Sequence, residues 1–203
     1  MYVVCGPSGA GKTSIIRGAL EKLQNVVFSV SCTTRPKRPG EVDGRDYFFI
    51  SEEEFLNRVK NGEFLEWAKV HGHLYGTLKS FVEEHLSAGE DVLLDIDVQG
   101  AISLKRKGVE AVFIYVAPPS YEELKSRIAK RGTEKETDVI VRLENAKWEL
   151  MFMDEFDYLI VNSDLTRSID LLVSIVEAER AKVSRNKAFI DELVMEVKGW
   201  KRS

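Results

Sequence analysis

Cysteine is nearly missing: the chain of 203 residues has two, Cys5 and Cys32. That number builds no disulfide framework, and the pair shows no metal-ligand spacing. Each sits at the end of an apolar run, where a buried thiol is the ordinary state, so a reducing, cytoplasmic setting is expected. An excess of basic charge is missing too. Lys and Arg number 29 against 33 Asp and Glu, a formal net charge of −4, which argues against general coating of nucleic acid but leaves room for a local basic patch. No apolar run is long enough to span a membrane, so no membrane association is expected. The first residues read directly as strand and loop rather than as a signal peptide. There is no internal repeat and no low-complexity segment.

What is present is ordinary for a folded enzyme-sized domain. Hydrophobic residues are 44% and charged residues 31%, which is globular rather than disordered. The length suits one domain with a single sizeable core.

One stretch organises the rest. Gly6-Pro7-Ser8-Gly9-Ala10-Gly11-Lys12-Thr13 fits G-x-x-x-x-G-K-[ST], the phosphate-cradling pattern of nucleoside triphosphate sites. Tyr2-Val3-Val4-Cys5 before it reads as a buried strand, and the residues from Ser14 to Leu20 carry apolar side chains at helical spacing. A strand, a glycine loop and a helix start aim backbone N–H groups at one anion. Lys12 would neutralise β- and γ-phosphates, and the Thr13 hydroxyl would ligate Mg²⁺.

Four further strands are predicted at residues 26–31, 92–97, 112–116 and 158–161. Most are nearly continuous apolar runs, as in strands buried on both faces. Helical stretches lie between several of them, so the fold class is α/β, a parallel sheet flanked by helices. Ligands gather at the carboxyl ends of such strands, and Thr13, Ser31, Asp95 and Asp97 fall there.

Two stretches break the alternation. Residues 33–86 open with the basic, proline-broken loop Thr34-Arg35-Pro36-Lys37-Arg38-Pro39-Gly40. A helix capped by Ser51 follows. Short strands at 64–68 and 73–77 flank a His71-Gly72 turn. This reads as an α+β insertion. Residues 120–150 form a charged helical arm. Both leave the sheet at its carboxyl edge, where either could close over a nucleotide. The division is therefore one unit over 1–203, with a core of 1–32, 87–119 and 151–203, an insertion of 33–86 and a lid of 120–150. After Asn162 the chain is helical. Leu165, Ile169, Leu172, Val173 and Val176 make one stripe, and Phe189, Ile190, Leu193, Val194 and Val197 another. Both are expected to pack on the sheet or a neighbouring helix, with a subunit interface as the alternative.

These residues also carry a resemblance. The phosphate loop, Ser31-Cys32-Thr33-Thr34-Arg35-Pro36, Arg38-Pro39-Gly40-Glu41 and Gly44-Arg45-Asp46-Tyr47 follow the order and spacing of the guanylate kinase family. So do Phe64-Leu65-Glu66-Trp67, Tyr75-Gly76-Thr77, Leu94-Asp95-Ile96-Asp97-Val98-Gln99-Gly100 and Arg131-Gly132-Thr133. The match spans nearly the whole chain. The Ser-x-Thr-Thr-Arg-Pro and Leu-Asp-Ile-Asp-x-Gln-Gly blocks are its most specific parts.

The resemblance implies a P-loop core, an inserted GMP-binding region and a mobile lid. It also implies phosphoryl transfer from MgATP to GMP, giving ADP and GDP, with dGMP as a further acceptor. By the family pattern, Gly6 to Thr13 and Asn162 bind ATP, and Asn162 lies near the adenine. Arg35, Arg38, Tyr47 and Tyr75 align with the clamp on the GMP phosphate. Ser31, Glu66, Thr77 and Asp97 align with the positions along the guanine edge, whose two donors suit carboxylates. Adenine has a bare ring nitrogen there, and such a mismatch is worth roughly 10⁴-fold or more in selectivity.

Lys12, Arg38, Arg131 and Arg142 are the expected catalytic cations. Thr13 and Asp95 are the expected metal ligands, although Asp95 and Asp97 could exchange roles. Arg127 either joins the lid arginines or pairs with Glu123 on its own helix face. His71, His73 and His85 have no part, because an anionic phosphate nucleophile needs no general base. The oligomeric state is open between monomer and homo-oligomer. Two other readings compete. A scaffold that has lost turnover is opposed by the presence of Lys12, Thr13, Asp95, Arg131 and Arg142. A kinase for a different acceptor is opposed by the guanine-edge set.

Overall fold

The structure, a computed structural model, describes residues 1–70, 72–130 and 136–200. His71 and Arg131-Gly132-Thr133 lie outside the described residues.

Strand β1 (Tyr2–Cys5) is the middle of a five-stranded parallel sheet. The others are β2 (Val26–Phe28), β7 (Asp91–Asp95), β8 (Val112–Ala117) and β9 (Tyr158–Val161), in the order β2-β7-β1-β8-β9. Side chains of β1 alternate between two cores. Tyr2 and Val4 face α1 (Lys12–Leu20) and α7 (Leu165–Arg180), with Ile15, Ile16, Leu172 and Val176. Val3 and Cys5 face α3 (Lys79–Ser87) and α4 (Val98–Arg106), with Val82, Val98 and Leu104. A fully buried aliphatic such as Leu93 or Ile114 stabilises the fold by about 1.5–3 kcal/mol. Burial on both faces is why these runs are continuous rather than alternating. Both cysteines are buried and free, as their apolar surroundings imply.

The run at 26–31, expected as one strand, is shorter than expected. β2 ends at Phe28, and Cys32–Thr33 form β3 of a second sheet. With β4 (Phe48–Phe49), β5 (Phe64–Val70) and β6 (His73–Leu78), β3 makes the mixed order β4-β3-β6-β5. Ser29 to Ser31 cross from the first sheet to the second. Helix α2 (Glu52–Lys60) covers the second sheet. It is capped by Ser51, whose Oγ accepts from Glu54 N–H at 3.1 Å. Its Phe55 stacks on Phe64 with centroids 4.5 Å apart. Val82 of α3 packs back into the first sheet.

The run at 92–97 is likewise shorter than expected: β7 stops at Asp95. The arm of residues 120–150 holds α5 (Tyr121–Lys130) and α6 (Glu136–Leu150), which pack on each other through Leu124, Ile128 and Ala146.

The C-terminal stripes behave differently. In α7, Leu172 and Val176 are buried and Ile169 and Val173 are partly so, but Leu165 lies exposed and Ile175 is buried in its stead. Helix α8 (Lys187–Trp200), expected to pack, does not. Phe189 is 64% exposed, and Leu193, Val194 and Val197 are exposed as well. Both faces of the sheet are already covered by α1, α7, α3 and α4. Among the described residues, no helix is long and apolar enough to cross a membrane.

Candidate active site

The phosphate loop leaves β1 at Gly6 and ends in α1. Gly6, Gly9 and Gly11 have φ of 143°, 89° and 95°, a region where L side chains are strained. A Cβ at Gly6 would lie 2.1 Å from the Val116 carbonyl oxygen. Gly11 caps α1 and offers no side chain, and the first turn of α1 has no acid. Its N–H groups are therefore left to an outside anion. Lys12 Nζ donates to the Gly6 carbonyl at 2.7 Å, folding the cation over the loop.

Asn162 sits behind this loop. Its Nδ2 donates to the Ala10 carbonyl at 2.7 Å, and its Oδ1 accepts from Ser168 Oγ at 3.2 Å. Its backbone N–H donates to the Ala117 carbonyl at 2.8 Å. The amide is buried and braces the loop. A Cβ on Gly11 would fall 2.2 Å from Asn162 Nδ2, so the glycine and the asparagine fit as a pair. Arg127 is placed by the same node: Nη2 donates to the Asn162 carbonyl at 3.1 Å and Nε to Glu123 at 3.0 Å. The Glu123 pairing is thus present.

Three carboxylates face Lys12. Asp95 ends β7, and burial raises its carboxyl pKa against the pull of Lys12. Asp97 follows just beyond; burial raises it too, against the Gly100 amide and Lys12. Glu149, on α6, is pushed up to about 7 by burial, opposed first by Lys12, and takes a backbone hydrogen bond from Ser8. Glu149 was not foreseen. It stands seven residues after Arg142, hence on the same helix face, and that spacing was the available signal. Arg142 itself is buried on α6. Among the described residues there is no group of three or more His, Cys, Asp or Glu arranged to hold a metal. A Mg²⁺ here would rest on one or two protein oxygens and on substrate phosphates, its usual manner. Thr13 Oγ1 and the Asp95 carboxylate are the hard oxygen donors that fit.

The second sheet carries a cluster of one buried arginine and two tyrosines that could hold another anion. Thr33 Oγ1 donates to the Leu74 carbonyl and accepts from Arg35 N–H, each at 3.1 Å. Thr34 Oγ1 accepts from Leu74 N–H at 2.9 Å. The two threonines thereby stitch the basic loop to β6. Arg35 is 9% exposed. Its guanidinium lies 5.4 Å from the ring centre of Tyr47 and 5.7 Å from that of Phe49, and the nearby Tyr75 helps to hold its charge. Tyr47 and Tyr75 meet edge to face with centroids 5.9 Å apart. Burial raises the Tyr47 hydroxyl, and the field of Asp95 raises it further. The two anion sites therefore lie within electrostatic reach of each other. Arg38 is on the exposed side of this loop. Arg17 of α1 also bridges the gap, donating to Asp46 at 2.9 Å.

Beside this clamp lies an acidic pocket. Glu66 on β5 is 4% exposed and accepts from Thr77 Oγ1 at 2.7 Å. Burial pushes its carboxyl up to about 7, with Asp97 raising it and Thr77 lowering it. The Thr77 proton is thus spent on orienting Glu66, and Thr77 itself is fully buried. Asp97 also caps α4, its Oδ1 accepting from Gly100 N–H at 2.9 Å. Ser31 is buried, and its carbonyl accepts from Phe48 N–H at 2.9 Å.

Gly100 is what lets the two acids meet. A Cβ there would sit 2.4 Å from Glu66 Oε2 and 3.1 Å from Asp97 Oδ1. Gly100→Ala is therefore expected to displace Glu66 and raise KM for GMP roughly tenfold, with KM for ATP unchanged. Steady-state kinetics with each substrate varied in turn would show it. An unchanged KM for GMP would mean that Glu66 can move aside harmlessly.

The structure thus brings Asp95 and the phosphate loop together around Lys12, Arg35, Tyr47 and Tyr75 together on the second sheet, and Glu66, Thr77 and Asp97 together between them. Comparisons with known proteins bear on the family. The family model described as guanylate kinase matches residues 1–179. A guanylate kinase of Thermotoga maritima is 70% identical over 202 residues, covering 100% of this chain and 98% of that protein. One from Caldanaerobacter subterraneus subsp. tengcongensis is 48% identical, covering 92% and 91%. The crystal structure of guanylate kinase from Anaplasma phagocytophilum superposes with a TM-score of 0.76 at 35% identity, covering 91% of this chain and 88% of that one. The chain belongs to the guanylate kinase family.

Proposed function

We propose that the two anion sites divide one reaction between them, the phosphate loop taking the donor and the second sheet the acceptor. The chain is an enzyme of nucleotide metabolism that phosphorylates GMP at the expense of ATP, the activity of its family. The observation that carries the division of labour is the pairing of Glu66 with Asp97 across Gly100, beside a buried arginine ringed by tyrosines.

The GMP phosphate is already anionic, so no base is needed to activate it. Catalysis is positioning plus stabilisation of charge on the moving phosphoryl group. Loop N–H groups and Lys12 hold the donor phosphates. Arg35, Arg38, Tyr47 and Tyr75 hold the acceptor phosphate, with arginine forks suited to its oxygens. Arg142, with Arg131 outside the described residues, supplies cations from the lid. Glu66 and Asp97 accept from the two donors of the guanine edge, with Thr77 orienting Glu66 and Ser31 beside them. Bound Mg²⁺ would neutralise charge between the β- and γ-phosphates, and Thr13 and Asp95 would hold it. Asn162 serves ATP by keeping the loop in shape. Closure of the insertion and lid keeps water from the donor. Two buried free thiols and the absence of a membrane-spanning helix among the described residues suit a cytoplasmic enzyme.

A coupled assay of ADP release with GMP, dGMP, AMP and CMP tests the acceptor site. Turnover is expected with GMP and dGMP, and is expected to be lower by roughly 10⁴-fold in kcat/KM with AMP. Comparable turnover with AMP would remove the guanine-edge assignment.

A further inference from the structure

We propose that Glu41 is a positioning residue for the acceptor phosphate: it holds the guanidinium of Arg35 with one carboxylate oxygen and the backbone of Arg38 with the other, and so sets both arginines of the clamp. This rests on the assignment of Arg35 and Arg38 to that phosphate.

The two oxygens have separate partners. Arg35 Nη2 donates to Glu41 Oε1 at 2.7 Å, and Arg38 N–H donates to Glu41 Oε2 at 2.8 Å. The backbone closes the same ring from the other side, since Glu41 N–H donates to the Arg38 carbonyl at 3.2 Å. Glu41 and Arg38 therefore grip each other reciprocally. Arg35 Nη1 donates to the Pro36 carbonyl at 2.7 Å, which fixes the second arm of the fork.

A buried guanidinium needs such support. Without an anionic partner, its removal from water is unfavourable. Stacking on Tyr47 and Phe49 fixes the plane of Arg35, and Glu41 fixes its rotation within that plane. Arg35, Lys37 and Arg38 also crowd three cations into four residues. Glu41 is the acid that offsets them from behind, leaving the other donors of the fork for the incoming phosphate. Its carboxyl is below the usual range: burial would raise it, but the Arg35 bond and the Arg38 amide prevail.

The experiment uses the full chain with the substitutions Glu41→Gln, Glu41→Asp, Arg35→Met, and Glu41→Gln combined with Arg35→Met. Glu41→Gln is expected to raise KM for GMP roughly tenfold or more while KM for ATP stays within about twofold. Glu41→Asp keeps the charge but cannot span both partners, so it is expected to raise KM for GMP as well. In the Arg35→Met background, Glu41→Gln is expected to add less than about threefold, because contacting residues are not additive. A wild-type KM for GMP in Glu41→Gln or Glu41→Asp would overturn the proposal. So would an effect of full size in the Arg35→Met background, which a merely structural role would give. If Arg35→Met alone left KM for GMP unchanged, the clamp assignment would fall first and the role of Glu41 with it. Should Glu41→Gln fold poorly, Glu41→Asp and its combination with Arg35→Met carry the same comparison.

Discussion

Lys12→Ala is expected to lower kcat by on the order of 10²–10³-fold, with GMP affinity nearly unchanged. Lys12 is the side-chain cation folded over the phosphate loop, with Nζ 2.7 Å from the Gly6 carbonyl. It faces Asp95, Asp97 and Glu149, whose negative charge it offsets. Removing it leaves three partly buried acids around a site that must receive a triphosphate. The loss should therefore exceed that of a single hydrogen bond and should include weaker ATP binding. In the proposed division of labour GMP takes the second sheet, away from Lys12, so its affinity should hold. Steady-state kinetics for kcat and calorimetry for GMP test both halves. If kcat stayed within about threefold of wild type, the loop would be working through its backbone alone.

Glu66→Gln is expected to raise KM for GMP roughly 100-fold, a loss of about 3 kcal/mol, and to leave KM for ATP alone. The substitution keeps an oxygen for Thr77 but turns the other acceptor into an N–H₂ facing the donors of guanine. It should also change the pH dependence. Glu66 stands at about 7 in the folded protein against an ordinary 4.5. It accepts from guanine only when ionised, so GMP affinity should rise as pH climbs through about 7. The phosphate of GMP titrates near an order-of-magnitude pKa of about 6 and adds its own rise. In Glu66→Gln only that second rise should remain. Stability moves the other way. The folded chain holds this proton more tightly than the unfolded chain, so burying Glu66 is harmless below about 4.5 and destabilises progressively up to about 7. An identical pH profile in wild type and variant would remove Glu66 from guanine recognition.

The local chemistry was readable without coordinates wherever one short segment contains its own reason. Gly6 to Thr13 is such a segment, because strand, glycines, lysine and helix start are contiguous and the positive φ values follow from the spacing. The buried strands were readable from apolar runs, and the α2 cap from Ser51 and the acids after it. Helical spacing offered Glu123 as one of two partners for Arg127, and the structure shows that pairing. The positions of Arg35, Tyr47, Glu66 and Tyr75 came from a family pattern, which gives register without giving contacts.

What only the tertiary structure decided are the meetings between distant segments. Asn162 reaches back to Ala10 across the sheet, a contact no local spacing encodes. Thr77 orients Glu66 only because β5 and β6 pair in a register that sets the two opposite each other. The strand expected at 26–31 ends at Phe28 because the chain then leaves the first sheet to start the second at Cys32. The stripe of α8 stays largely exposed, with other helices covering both faces of the sheet. Periodicity fixes which face of an element is apolar, through backbone geometry that each residue carries with it. Which partner that face meets depends on the surface left over by every other element, and that is settled only when the whole chain packs.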